Sequence, residues 1–356
     1  MIKSDERIPE GLKLMGGPEE IPLSALEYHR LWDEMTAKGW VERKLLCYLY
    51  GENSDYPVYL YHMEPYRDYL NSDYERVRGK LYRRPKILVT SGVHGSEKAA
   101  PVILKNLIED MMTDPELAAI ASRYEWDIIP LVNPWGYSHS ILIDGKIHNG
   151  QFLESLEGYD VTVIENGEYN QGVRVNKDWL DLNRNWHDGP EGCPGIEQKL
   201  LRDIFVQGSY DMVLDIHQSK KKVACGFISM GNRPEDMPEE DYEENFTKLC
   251  NAAVQAGIET DRLVSSYYDL DSLEQLSFPW KGPDGANFRN YASGYTAEGS
   301  RKINHKNPAR FSLCIELSMY GQPLGGDEQQ IKFNEKANTY GNTFLHNFIK
   351  RLDSLI

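Results

Sequence analysis

The stretch Lys86–Met112, KILVTSGVHGSEKAAPVILKNLIEDMM, predicts a buried strand, a loop and an amphipathic helix in that order. The run Ile87–Val89 is apolar and rich in β-branched residues, which is typical of a strand covered on both faces. After the loop, apolar residues recur at helical spacing as far as Met111, and Pro101 falls in the first turn, where its missing N–H costs little. We therefore expect the loop at the carboxyl end of a strand, where open α/β sheets usually place their sites.

Two potential metal ligands, His94 and Glu97, lie in this loop. An imidazole and a carboxylate three residues apart on a tight turn can bind the same ion. The pair alone is a weak signal, because a histidine that only satisfies hydrogen bonds within the loop gives the same pattern. A metal site therefore needs further ligands from elsewhere in the chain.

The composition of the 356-residue chain indicates which kinds of binding partner and which location to expect. It contains 55 acidic and 39 basic residues, and the net charge of −16 argues against non-specific binding to nucleic acid or to anionic membranes. No signal peptide is visible, and no run approaches the roughly 20 apolar residues of a membrane span. The five cysteines include no C-x-x-C pair, which speaks against a thiolate metal site. We expect a cytoplasmic protein with no nucleic-acid or membrane partner, and the oligomeric state stays open.

Two later strands bring further chemistry to the chain. The apolar run Met212–Ile216 predicts a buried strand, and His217 follows it directly. Phe311–Leu317 predicts another buried strand, with Glu316 inside it. An unpaired carboxylate in such a run is costly, so Glu316 must have a partner or a task.

The remaining elements are predicted from period and turn signals. The expected elements are a helix over Leu23–Lys38, a hairpin of Leu45–Tyr50 and Val58–Tyr61, a buried strand over Trp126–Val132, a helix over Thr247–Gly257 and a helix over Gln330–Leu355. The acidic run Glu235–Glu244 is expected to be a solvated loop and helix start, and Pro279–Gly299 a loop region with room for a short helix. Residues 138–178 show no strong period and are expected to form an insertion with a hairpin around Asp144-Gly145.

Five motifs occur along the chain in a recognisable order. They are H-x-x-E at 94–97, N-P-x-G-Y at 133–137, D-x-N-R-N at 181–185, the strand-terminal His217, and Glu316-Leu317. From about residue 40 to about residue 350, the chain thereby resembles the zinc carboxypeptidase family, the M14 metallopeptidases. The resemblance implies a three-layer α/β/α fold with a mixed, largely parallel sheet of about eight strands. Residues 1–40 are expected to form an arm and helix packed on a single catalytic domain, 41–356.

The resemblance also implies a metal centre and a reaction. His94, Glu97 and His217 would hold one Zn²⁺ per chain and leave a fourth position for water. Glu316 would act as the general base that takes the proton of that water. The implied activity is that of a zinc-dependent metallocarboxypeptidase, which hydrolyses the carboxyl-terminal peptide bond of a peptide.

Three residues between 174 and 184 match the family's substrate-binding positions. Arg174 corresponds to the arginine that polarises the scissile carbonyl and stabilises its oxyanion, whereas a surface ion pair is the alternative for this residue. Asn183 and Arg184 correspond to the pair that grips the substrate's terminal carboxylate, for which a planar guanidinium is well suited.

A closing tyrosine and a specificity pocket are the last implied features. Tyr295, 21 residues before Glu316, is the candidate for the mobile tyrosine of the family, and Tyr291 is the second candidate. Arg301 or Lys302 would then line the side-chain pocket. A basic residue there would favour substrates with an acidic carboxyl-terminal residue, such as glutamate.

The chain also departs from the family's digestive enzymes. The segments 138–178 and 235–244 match no feature of those enzymes, and no propeptide is visible. Two other functions stay open. One is an N-acyl amino acid deacylase of the succinylglutamate desuccinylase type, which shares the zinc site and the arginines. The other is a non-catalytic peptide-binding protein on the same fold.

Overall fold

The apolar runs around Val89, Leu214 and Leu313 form three neighbouring strands in the interior of one sheet. The structure, a computed structural model, describes residues 10–13, 22, 24–64, 84–139, 142–143, 146–147, 174–186, 192–219, 225–231, 237–268, 288–291, 309–318 and 328–355. All statements on the fold refer to these residues.

The structure contains ten strands in the described ranges. In chain order, the strands are β1 (Glu42–Tyr48), β2 (Pro57–Met63), β3 (Lys86–Ser91), β4 (Glu125–Ile129), β5 (Leu142–Ile143), β6 (Lys146–Ile147), β7 (Met212–Ser219), β8 (Cys225–Gly231), β9 (Phe288–Tyr291) and β10 (Phe311–Ser318). Eight of them form one sheet in the order β1-β2-β4-β3-β7-β10-β8-β9, and β5 pairs with β6 as a separate hairpin. Four of the seven neighbouring pairs in the large sheet are parallel. The predicted mixed, largely parallel sheet is confirmed.

The helices cover the sheet. They are α1 (Ala25–Arg30), α2 (Asp33–Ala37), α3 (Ala99–Thr113), α4 (Pro115–Ala121), α5 (Pro134–His139), α6 (Ile196–Gly208), α7 (Glu239–Tyr268) and α8 (Glu328–Ile349), followed by a 3₁₀ turn at Leu352–Ser354. Within the described ranges, no helix is both long and apolar enough to cross a membrane.

Side chains that alternate along each strand divide the apolar interior into two cores. In β3, Ile87 and Val89 pack into a core formed with α3, α7 and α8. Leu88, between them, packs into a second core with Leu201 and Phe205 of α6. Because successive side chains of a strand point to opposite faces of the sheet, helices lie on both faces. This arrangement confirms the predicted three-layer α/β/α fold.

Two predicted helices have different bounds in the structure. The helix expected over Leu23–Lys38 is two helices, because α1 ends at Arg30 and α2 begins at Asp33. Between them Trp32 is fully buried and stacks on Tyr61, with ring centroids 4.2 Å apart. Burying this large ring takes precedence over continuing the helical hydrogen bonds.

The helix expected over Thr247–Gly257 is much longer, and α7 spans 30 residues. It begins at Glu239, within the acidic run 235–244, for which the sequence predicts a loop and a helix start. The acidic residues of its first turn, Glu239, Glu240 and Asp241, are favourable there because the amino end of a helix carries partial positive charge. In 279–299, residues 288–291 form a strand where we had allowed for a short helix.

Candidate metal centre and active site

The segment between β3 and α3 carries His94 and Glu97 as a tight turn. The amide of Glu97 donates to the carbonyl of His94 at 3.2 Å, and His94 Nδ1 lies 2.7 Å from Glu97 Oε1. Both side chains are buried, at 1% and 5% exposure. The turn thus directs an imidazole and a carboxylate towards the same point.

A contact between two glycines fixes this turn in place. A Cβ atom at Gly95 would overlap the backbone of Gly136, so the two segments approach more closely than side chains allow. Asn133 supports the contact: its Nδ2 donates to the carbonyls of Val93 and Val175 at 3.3 and 3.0 Å, and its Oδ1 accepts from Gly136 N at 2.8 Å. The N-P-x-G-Y motif therefore joins the turn that carries His94 and Glu97 to the segment that begins at Arg174.

His217 completes a group of three potential ligands. It lies in β7, and its Nδ1 is 3.0 Å from Glu97 Oε2 and 3.1 Å from His94 Nδ1. One ligand atom from each of the three residues lies within 4.8 Å of the others. The structure thus brings together the three residues that the sequence indicated.

This donor set fits a zinc ion. Two imidazole nitrogens and one carboxylate are a common set of protein ligands in catalytic zinc sites. Two ring nitrogens 3.1 Å apart and facing one carboxylate place several lone pairs around one point, which a cation would stabilise.

The other nitrogen of each histidine faces a carboxylate. His217 Nε2 lies 2.7 Å from Asp215 Oδ2, and Thr90 Oγ1 donates to the other oxygen of Asp215 at 2.7 Å. His94 Nε2 lies 3.1 Å from Asp181 Oδ1. Carboxylates in this position fix the tautomer and orientation of metal-binding histidines.

Asp215 and Asp181 have no predicted role at the level of the sequence. A signal for Asp215 was present, because two residues spaced i and i+2 on a strand share a face, and Asp215 is two residues before His217. Asp181 is the first residue of the D-x-N-R-N motif, but the motif does not show its contact with His94, which is 87 residues away along the chain.

The charges within the centre support one another. Burial opposes ionisation of Glu97, but His94 and His217 outweigh it and hold the pKa of Glu97 well below its usual range. Burial likewise opposes a charge on His217, whereas Asp215 and Glu97 raise its pKa well above the usual value. The surroundings of the three side chains therefore favour opposite charges next to each other.

Glu316 lies directly beside His217. The parallel strands β10 and β7 pair with Glu316 opposite His217, so the two side chains project from the same face of the sheet. Burial raises the pKa of Glu316 to about 7, against the lowering effect of the charge on His217. A carboxyl group with such a pKa can both accept and return a proton near neutral pH.

Arg174 is also drawn towards the centre. Its Nε donates to Asp181 Oδ2 at 2.9 Å, its Nη1 lies 3.8 Å from Glu97 Oε1, and its carbonyl accepts from Gly95 N at 3.4 Å. The ion pair foreseen as the alternative for Arg174 is thus present, but it lies at the metal centre, where only 27% of the side chain is exposed.

Asn183 and Arg184 lie in the segment 174–186, nine and ten residues after Arg174. Asn183 is buried, and its backbone amide donates to Asp181 Oδ1 at 2.9 Å. Arg184 is exposed, and its Nη1 donates to the carbonyl of Asn183 at 2.9 Å. Tyr295, Arg301 and Lys302 lie outside the described residues.

Comparisons with known proteins agree with this geometry. The sequence profile of a family described as zinc carboxypeptidase matches residues 76–339. A curated relative, zinc carboxypeptidase A 1 of Anopheles gambiae, is 22% identical over 98 residues, which are 27% of this chain and 20% of that protein. The chain thus spans about a fifth of the length of the curated relative it matches.

Solved structures share the fold at low identity. A metallo-carboxypeptidase from Pseudomonas aeruginosa, in complex with (2-guanidinoethylmercapto)succinic acid, has a TM-score of 0.54 and 16% identity over 95% of this chain and 71% of that one. Carboxypeptidase A from Helicoverpa armigera has a TM-score of 0.53 and 15% identity over 94% of this chain and 74% of that one. At these identities the likeness extends to the fold alone.

Proposed function

The chain belongs to the zinc carboxypeptidase family, and from this premise we propose that it is a zinc-dependent metallocarboxypeptidase that removes the last residue of a peptide. One observation carries the proposal. His94, Glu97 and His217 converge in a buried cluster, and Glu316 is the direct strand neighbour of His217. A binding protein without activity would have no need of a carboxyl group with a pKa near neutrality beside a metal site.

His94, Glu97 and His217 would hold one Zn²⁺ per chain. When bound, zinc supplies a Lewis acid that polarises a carbonyl group and makes water acidic enough to attack at neutral pH. Asp215 and Asp181 keep the two imidazoles in the tautomer whose Nδ1 faces the cluster.

Glu316 acts as the proton carrier of the reaction. Its carboxylate takes a proton from the attacking water and passes it to the nitrogen of the leaving amino acid, so that the C–N bond breaks with a neutral amine as the product. Burial raises the pKa of Glu316, which brings it towards the working pH, where an acid–base catalyst can both accept and return a proton.

The arginines bind the two charged or polarised groups of the substrate. Arg174, which lies beside Glu97 and Asp181, stabilises the negative charge that develops on the scissile carbonyl oxygen. Asn183 and Arg184 bind the terminal carboxylate, and the exposure of Arg184 leaves its guanidinium accessible to an incoming peptide. Tyr295 closes over the bound residue as the last step of binding.

Arg301, or Lys302 beside it, gives the side-chain pocket a preference for an acidic residue. Hydrolysis of matched peptides that end in Glu or in Lys tests this part of the proposal. Faster cleavage of the Glu peptide is expected, and a preference for the Lys peptide would contradict it.

The test of the activity is a panel of amino-blocked peptides and N-acyl amino acids, assayed with and without a metal chelator. We expect release of the carboxyl-terminal residue from peptides, loss of activity with the chelator and recovery with one equivalent of zinc. Hydrolysis of the acyl amino acids alone would identify a deacylase. Peptide binding without hydrolysis by the zinc-loaded protein would identify a non-catalytic relative.

A further inference from the structure

We call residues 174–186 the substrate loop. This loop is held in place by hydrogen bonds from side chains that are not among the three potential metal ligands. Asn176 and Glu197 are both fully buried, and Asn176 Nδ2 donates to Glu197 Oε2 at 2.8 Å. The other carboxylate oxygen of Glu197 accepts the hydroxyl of Tyr50. Glu197 thus links the substrate loop to the segment that follows β1.

The side chain of Asn176 also forms hydrogen bonds with the backbone of the loop. Its Oδ1 accepts from the backbone amides of Asp178 and Leu180 at 3.0 and 2.9 Å. The backbone amide of Asn176 donates to the carbonyl of Leu180 at 3.1 Å. The side chain thereby closes the turn between Arg174 and Asp181. Without the contact to Glu197, only the bonds that Oδ1 accepts would hold this side chain in place.

A second anchor comes from the first turn of α6. Gln198 is 1% exposed, and its Nε2 donates to the carbonyls of Leu182 and Arg184 at 3.2 and 2.7 Å. Its Oε1 accepts from Gly195 N at 3.0 Å, which fixes the amide in the orientation that these donations need. The two anchored carbonyls flank Asn183.

The backbone that these side chains hold is strained. Among the described non-glycine residues, six have positive φ, and three of them are Tyr50 at 60°, Trp179 at 61° and Asn185 at 60°. For a bulky residue such as Trp179 this conformation is a genuine outlier. Such strain persists only where the surroundings over-determine the conformation, and it clusters at ligand-binding segments.

We propose that Tyr50, Asn176, Glu197 and Gln198, called here the brace, are positioning residues that hold the substrate loop in the conformation that binds the substrate. The proposal rests on the proposed function. A loop that is competent only part of the time lowers apparent affinity in proportion to its competent fraction. The brace therefore acts on substrate binding through Arg174 and the Asn183–Arg184 pair, without contributing a ligand to the metal.

Two substitutions test the brace, and of these Tyr50→Phe perturbs the fold least. Tyr50→Phe removes only the hydroxyl that Glu197 accepts, and Gln198→Ala removes the anchor on Leu182 and Arg184. For each we expect KM for a peptide substrate to rise about tenfold, as for a loop that is competent a tenth of the time. The value of kcat should fall much less, and zinc affinity measured by chelator competition should change less than KM, because the three ligands themselves lie outside the loop, which contacts them through Asp181 and Arg174.

Tyr210→Phe is the matched control. Tyr210 also donates its hydroxyl to a buried carboxylate, Asp127, at 2.7 Å. This hydrogen bond joins the residue two positions before β7 to β4, and it involves no residue of the substrate loop. The control should cost similar thermal stability and leave KM unchanged. If KM rose equally in the control, the effect of the brace would be one of general stability, and the proposal would be overturned.

Amide hydrogen exchange separates this proposal from the proposed function, since it needs no substrate. In Tyr50→Phe the amides of Asp178 and Leu180 should exchange about tenfold faster than in wild type, and in Tyr210→Phe they should not. If the wild-type protein cleaves no peptide, the proposed function fails and the substrate-binding role of the brace fails with it. If the wild type is active while exchange and KM are unchanged in Tyr50→Phe and Gln198→Ala, only the brace is refuted.

Discussion

Asp215 shows how one buried carboxylate can decide whether a histidine is a good metal ligand. It faces His217 Nε2 with one oxygen and accepts from Thr90 with the other. Both of its oxygens therefore face donors, and an amide could not satisfy both. The carboxylate favours a proton on Nε2, so that Nδ1 is the nitrogen that would bind a metal ion.

Asp215→Asn should weaken zinc binding by about 10- to 100-fold, since partners of metal-binding histidines usually have effects of this size. The measurement is the zinc Kd from competition with a chromophoric chelator. Asp127→Asn is the matched control, because Asp127 also contacts a histidine nitrogen at 2.7 Å, that of His62, but outside the metal centre. Equal zinc affinities in Asp215→Asn and wild type would contradict the role given to Asp215.

Glu316→Gln should keep its zinc and lose about 10²- to 10⁴-fold in kcat, the usual contribution of a general acid–base group. Metal analysis and steady-state kinetics on the same preparation measure both quantities. Glu109→Gln, in which an ion pair of α3 with Lys105 is lost, serves as the control and should have normal kcat. A zinc-loaded Glu316→Gln variant with full activity would exclude Glu316 as the base.

The pH profile gives a second test of Glu316. Its base form is lost as pH falls through its pKa, which burial raises to about 7. A bound cation favours the carboxylate and moves this pKa downwards. We therefore expect kcat/KM to fall on the acid side of a midpoint at or below about pH 7. The same acid limb in the residual activity of Glu316→Gln would assign it to another group.

At the scale of the element, the turn after β3 depends on two glycines from different segments. Gly95 and Gly136 are in backbone contact, and a methyl group on Gly95 has no space. Either the turn with His94 and Glu97 or the start of α5 would have to move. The geometry of the metal centre is therefore set partly by the absence of a side chain.

Gly95→Ala should destabilise the fold by about 1–3 kcal/mol, the usual cost of overpacking, and should weaken zinc binding as well. Denaturant unfolding and chelator competition measure the two effects. Gly341→Ala in α8 is the control, because a Cβ there would come no closer than 3.4 Å to any side chain. If Gly95→Ala bound zinc as well as the control does, the contact would not be essential to the turn.

The central elements could be predicted from the sequence, whereas their ends and some contacts could not. Apolar β-branched runs located β3, β7 and β10, and their order along the chain with His94, His217 and Glu316 pointed to one site. The break before α2 escaped prediction because it depends on Trp32 stacking on Tyr61, a contact between distant residues. The brace escaped for the same reason, since Tyr50 and Glu197 are 147 residues apart.

At the scale of the whole molecule, we expect metal binding at the candidate centre to be linked to folding. The ligands come from two strand ends that are close only in the folded sheet, so an ion that binds them stabilises the native state. At a free zinc concentration a hundredfold above Kd, this stabilisation is about 2.7 kcal/mol.

Thermal unfolding in zinc and in chelator tests this linkage. The Tm of wild type and of Glu316→Gln should be higher in zinc, because neither lacks a ligand. His217→Ala should show no such difference. A zinc-dependent Tm in His217→Ala equal to that of wild type would place the stabilising ion elsewhere in the protein.

The order of the strands has a consequence for the newly made chain. In the sheet, β10 lies between β7 and β8, although both precede it in the sequence. A polypeptide emerging from the ribosome already has all three ligands once residue 217 is released, but Glu316 follows 99 residues later. Under the proposed mechanism, the nascent protein could bind zinc before it can hydrolyse a peptide. Activity would require β10, which carries Glu316, to pair between β7 and β8.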